Sequence, residues 1–162
     1  MRTKLYTINW ILAFAFLALS GCSDDFVDVD SQDENSEDFF NTPEDYDLAL
    51  VGAYDLLQST YLNVMLGEIA SDNTLAGGES ANDTPGIQEI DNMEHTPVNQ
   101  QLRDIWSWMF AGVNRANYVL EFQDALDFEG KTEIVAQARF LRAYYYFELV
   151  KWFGDVPLAV DN

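Results

Sequence analysis

"ARFLRAYYYFELVKWFGDVPL", residues 138–158, is the stretch that decides the fold. Ile134, Ala138, Leu141, Tyr145, Leu149 and Trp152 recur at helical spacing, and Ala136, Phe140, Ala143, Phe147 and Val150 form a second stripe. The spacing predicts a helix from about 132 to 153. A helix apolar on two faces is expected to lie between neighbours rather than on a surface. Gly154 stands where a left-handed cap is needed, and Pro157 blocks continuation. Phe140, Leu141, Tyr144, Tyr145 and Phe147 are expected to fill a helix–helix seam. Arg139 and Arg142, set in an apolar helix, are expected to find carboxylate or carbonyl partners.

Immediately upstream, "FEGK" (128–131) supplies a short turn, and a second long helix is expected from about Asn99 to Asp124. Its apolar face reads Leu102, Trp106, Met109, Val113, Ala116 and Leu120, with Trp108 pointing elsewhere. A short turn between two long helices implies antiparallel packing. The pair is the size of one tetratricopeptide-type unit, ~34 residues.

Nearer the N-terminus, Thr42, Pro43, Glu44 and Asp45 form a helix start. Tyr46, Leu50, Ala53 and Leu57 continue one stripe to about Thr60, and a shorter helix is expected over 62–70. Residues 71–97 carry Gly77, Gly78, Pro85, Gly86 and Pro97 and read as a long loop with a short extended piece at 87–90. Loops of that length inside compact domains are functional or disordered. The fold class is all-α, a helical bundle.

Residues 17–26, "LALSGCSDDF", close an uncharged run that begins at Leu5, behind Arg2 and Lys4. That run is short for a membrane span of ~20 apolar residues, and its flanks suit a secretory leader over 1–21. The small pair Ser20–Gly21 before the chain's only cysteine, Cys22, resembles a bacterial lipobox, and the resemblance implies cleavage there and lipidation of Cys22. Residues 22–38 hold no basic residue and too little apolar surface to fold, so they read as an acidic disordered tether. Asp28, Asp30 and Asp33 lack the glycine and final glutamate of a calcium loop. The folded domain is expected over 39–162.

All 28 acids follow the leader, and losing Arg2 and Lys4 leaves six bases, a formal charge of −22. Such a field excludes nucleic acid as a partner.

Four stretches together resemble one family. These are Ser20–Cys22 with its acidic tail, "TPEDYDLALVGAYDLL" (42–57), "IWSWMFAGVNRANYVL" (105–120) and the opening "FLRAYYYF…GDVPL" segment. The chain is identified on them as resembling the SusD/RagB outer-membrane nutrient-binding lipoproteins. The resemblance implies a bundle with tetratricopeptide-like helix pairs, lipidated at Cys22. It implies an outer-membrane location facing the cell exterior, a SusC-type TonB-dependent transporter as partner, and a glycan or other nutrient as ligand. Family members are several hundred residues long, so the chain reads as an incomplete N-terminal portion, with much of the ligand specificity set elsewhere. The alternatives are a structural adaptor or lid without its own ligand, or a carboxylate-dependent glycoside hydrolase.

In the family the loop after an "SD" dipeptide contributes to the ligand surface, which carries over to Asp72 and Asn73 after Ser71. The glycine pair Gly77–Gly78 lacks the arginine and aromatic neighbours often found in that loop. His95, the only histidine, is a further ligand-contact candidate. Glu68 and Asp72 stand one helical turn apart, the arrangement a glycosidase uses, but 28 acids generate such pairs by chance. No nucleophile motif, phosphate loop or metal-ligand cluster appears, so no catalytic residue, metal or cofactor is expected.

Overall fold

The computed structural model describes residues 39–80 and 82–160. The expected leader, Cys22 and the tether 22–38 lie outside the described residues. The described residues are all-α: α1 (Pro43–Asp55), a 3-10 turn (Leu56–Ser59), α2 (Thr60–Ile69), α3 (Pro85–Asp91), α4 (Gln100–Glu121) and α5 (Lys131–Phe153). Among them no helix is long and apolar enough to cross a membrane.

The start of α1 is a reciprocal cap. The Asp45 carboxylate accepts from the amides of Thr42 (2.6 Å) and Asn41 (3.1 Å), and the Asp45 amide donates to the Thr42 carbonyl. Hydrogen bonding from Thr42 holds the Asp45 carboxyl below the usual aspartate range. Tyr46, Leu50 and Ala53 are buried as their spacing predicts, whereas Leu57 is half-buried in the tighter 3-10 turn.

Helices α4 and α5 form the antiparallel pair. Trp106 meets Phe153, Phe110 meets Tyr146, Gly112 lies on Tyr145, Asn117 bonds Arg142 and Gln123 bonds Arg139. Positions thus fall along one helix as they rise along the other. Gly154 ends α5 at φ +67°, in a region that side-chain-bearing residues avoid, with its amide on the Val150 carbonyl at 3.1 Å.

The two helices approach closely at Gly112. A Cβ there would sit 2.6 Å from the Tyr145 ring, so only glycine lets that ring lie against the α4 backbone. The Tyr145 hydroxyl crosses to α1 and donates to the Ala53 carbonyl at 2.6 Å. Burial pushes this hydroxyl up to about 12, so it keeps its proton, and its bond to Ala53, well above neutral pH. Around it, Tyr46 donates to the Phe122 carbonyl (2.7 Å) and Arg115 donates to the Gly52 carbonyl (2.6 Å). Asn63 of α2 donates to the buried Glu148 of α5 at 2.6 Å, and Lys151 pairs with the other Glu148 oxygen.

One expectation fails. Ile134, Ala138, Leu141, Tyr145 and Leu149 are buried, but the second stripe of α5 faces outward, with Phe140 67% and Phe147 62% exposed. Among the described residues α1, α2 and α4 all pack on the first face, so Phe140 and Phe147 do not belong to the seam. Arg142 donates to the Asn117 side-chain oxygen (3.0 Å) and the Val160 carbonyl (3.1 Å), and Arg139 to Gln123 (3.2 Å). Their partners are amide and backbone oxygens. With Asn117 and Tyr146 both bonded to the Ala159 carbonyl, they hold the segment after Pro157 against the helix pair.

The burial difference has a direct consequence. Leu141→Ala should cost about 2–5 kcal/mol in urea denaturation. Phe140→Ala in the same chain should cost under about 0.5 kcal/mol.

Candidate functional site

The segment 71–97 is organised rather than structureless. It contains α3 where an extended piece at 87–90 was expected. Pro85 at the first turn supports that helix. Asn99 anchors it: its side-chain oxygen accepts from the amides of Gln101 (3.1 Å) and Leu102 (3.2 Å), capping α4. Its amide nitrogen donates to the Gly86 carbonyl (2.8 Å) and to Glu89 (2.9 Å) on α3. Asn99 is buried, so one side chain fastens the loop to the start of α4. Gln88 adds bonds to the carbonyls of Ser80 and Asp83, and Asp91 accepts from the Ala76 amide.

That fastening opens a cleft of about 850 Å³ between α3, the loop behind it, the first turns of α4 and the end of α5. Buried Ile90 forms part of its floor. Trp106, Trp152 and Phe153 supply aromatic surface, with Trp106 against Phe110 at 4.7 Å and edge-on to Phe153 at 5.1 Å. His95 and Arg103 also line it. Concave, mostly apolar clefts with a few convergent polar groups are the usual form of ligand sites.

The loop leaves α3 through a strained turn. Met93 and Glu94 donate their amides to the Ile90 and Glu89 carbonyls, the double bond of a Schellman cap, with Met93 in the left-handed position at φ +55°. Glycine normally occupies that position. Met93 keeps its side chain on the cleft instead, at a conformational cost of about 1 kcal/mol.

Of the residues singled out from sequence, His95 lies on the cleft, whereas Asp72 and Asn73 do not line it. Asn73 closes the turn after α2, its side chain donating to Glu68 at 3.2 Å and its amide to the Ser71 hydroxyl at 3.2 Å. Asp72 is exposed beside it. Trp106 was expected in the buried stripe but is 38% exposed. Met109, Val113, Ala116 and Leu120 of the expected stripe are buried, and the buried face of α4 also takes in Ile105 and Gly112, which leaves Trp106 at its edge. Trp106 is thereby turned toward the end of α5. Antiparallel pairing through the short 128–131 turn is the signal that sets position 106 beside 153. Trp108 is exposed, as its offset from the stripe implies. Among the described residues no group of three or more His, Cys, Asp or Glu side chains could hold a metal.

The chain matches a SusD-like family model, described as starch-binding and associating with the outer membrane, over residues 25–161. The chain belongs to the SusD-like family. It is similar to SusD-like protein P38 of Formosa agariphila, 28% identical over 97% of this chain and 31% of that protein. SusD-like protein P25 of the same organism is 24% identical, over 95% of the chain and 32% of the relative. A SusD-like protein of Bacteroides ovatus is 27% identical over 100% and 29%. The chain thus spans about a third of the length of these curated relatives. No solved structure gives a significant match.

The strained turn generates a test. Met93→Gly should raise stability by roughly 0.5–1 kcal/mol, read as an increased denaturation midpoint. A loss instead would mean that Met93 packing outweighs the backbone strain.

Proposed function

We propose that this chain belongs to a cell-surface lipoprotein that captures a nutrient, most simply an oligosaccharide, and passes it to a SusC-type TonB-dependent transporter. Family membership supports a glycan-binding, outer-membrane role. The observation that carries the reading to residues is the aromatic cleft between α3, α4 and α5. Trp106 and Phe153 offer π-faces to the apolar face of a sugar ring, and His95 supplies a hydrogen-bonding rim. Asp72 and Asn73 form a second, exposed contact on the turn after α2. Cys22 carries the acyl chains, each buried methylene contributing ~0.8 kcal/mol to attachment. The acidic residues after it direct the protein to the outer face, and the chain binds rather than cleaves its ligand.

Two variants test this in the full chain. Trp106→Ala should weaken binding of whichever member of an oligosaccharide panel binds, maltoheptaose and tri-galacturonate included, by more than tenfold in isothermal titration. Cys22→Ala should lose fatty-acid labelling and leave the outer-membrane fraction. Binding by no panel member would replace the binder with a structural adaptor, and release of shortened sugars would make it a hydrolase. A Cys22→Ala protein that stays membrane-bound would end the lipoprotein reading.

A further inference from the structure

The charge around the cleft runs against the rest of the chain. Acids outnumber bases 28 to 8, yet none of the eleven residues lining the cleft is acidic, while Arg103 and the only histidine both belong to it. Arg115, Lys131 and Lys151 each pair with a carboxylate. Arg103, like Arg139 and Arg142 outside the cleft, has no such partner among the described residues, and it donates to the neutral Gln100 side chain.

Three acids near the cleft in sequence accept hydrogen bonds elsewhere, and Asp72 and Asp155, two residues from Ala70 and Phe153, are exposed and do not line it. Glu89 accepts from Asn99 (2.9 Å), Asp91 from the Ala76 amide (3.1 Å) and Asp104 from Gln100 (2.6 Å). Glu94, beside His95, is exposed and does not line the cleft. Gln100 thus stands between Arg103 and Asp104, occupying both with neutral hydrogen bonds.

We propose that the cleft selects an anionic sugar, one carrying a carboxylate or sulfate ester, with Arg103 as the charge-recognising residue and Trp106 as the ring platform. This rests on the nutrient-binding reading above. A guanidinium presents a planar fork of donors that matches either oxyanion in a bidentate pair. The remaining acids repel an anion in bulk, but salt screens them over ~8 Å, so inside the cleft the nearest charge decides. A neutral sugar would leave Arg103 without a counter-charge and gain only the stacking.

The test uses the detergent-solubilised full chain and four probes of similar length. These are tri-galacturonate, its methyl ester, a sulfated galactose trisaccharide and its desulfated form. At least one anionic probe should bind ten times more tightly than its neutral counterpart, and which one does so separates carboxylate from sulfate. Arg103→Gln should remove that preference while the weak neutral binding persists. Arg139→Gln, which deletes the same charge outside the cleft, should leave it intact. Equal binding of neutral and charged probes, unchanged by Arg103→Gln, would overturn the anionic proposal and leave the nutrient-binding reading standing. Anion preference surviving Arg103→Gln would overturn Arg103 as its source. Binding of no probe, with tryptophan emission unchanged throughout, would overturn both.

Discussion

The contact on which the bundle depends is the Tyr145 ring against the bare backbone of Gly112. A glycine in the middle of a 22-residue helix is unfavourable by about 1 kcal/mol relative to alanine. Its use here removes the side chain that would hold α4 and α5 apart. The ring then reaches far enough for its hydroxyl to meet Ala53 on α1, so one residue joins three helices. Tyr46, Arg115 and the Asn63–Glu148 pair reinforce the same packing from its edges. The end of α5 is placed by this packing, and with it Trp152 and Phe153 of the cleft.

Most of the helical architecture was legible because apolar periodicity and end signals agree. The buried stripe of α5, the start of α1 at Pro43 and the stop at Gly154 follow from residue type and spacing. The outward face of α5 was not legible. Periodicity records that Phe140 and Phe147 are apolar, and says nothing of whether a neighbour is present to cover them. Gly112 was missed for a related reason: within a helix a glycine reads as a weak point until its opposing ring is known.

The candidate site was less legible than the fold. His95 is legible as the only histidine, but Trp152 and Phe153, which share its cleft, lie at the far end of α5. Helix α3 was hidden because seven residues give too short a window for a period. Asn99, which fixes the loop to α4, reads in sequence as an ordinary helix start. Its second set of bonds, to Gly86 and Glu89, is tertiary. Trp106 lies on the expected stripe, whose later members are buried, but at its open end it lines the cleft instead of the core, which spacing alone does not show.

A double-mutant cycle on Gly112 and Tyr145 tests the central contact most directly, measured by urea unfolding with a stabilising osmolyte holding all four variants folded. With Tyr145 present, Gly112→Ala should destabilise by about 1–3 kcal/mol, because overpacking outweighs the gain in helix propensity. With Tyr145→Ala, the same substitution should be neutral or stabilise by up to about 1 kcal/mol. An equal effect of Gly112→Ala in both backgrounds would show that the ring and the glycine are not coupled, contradicting the account.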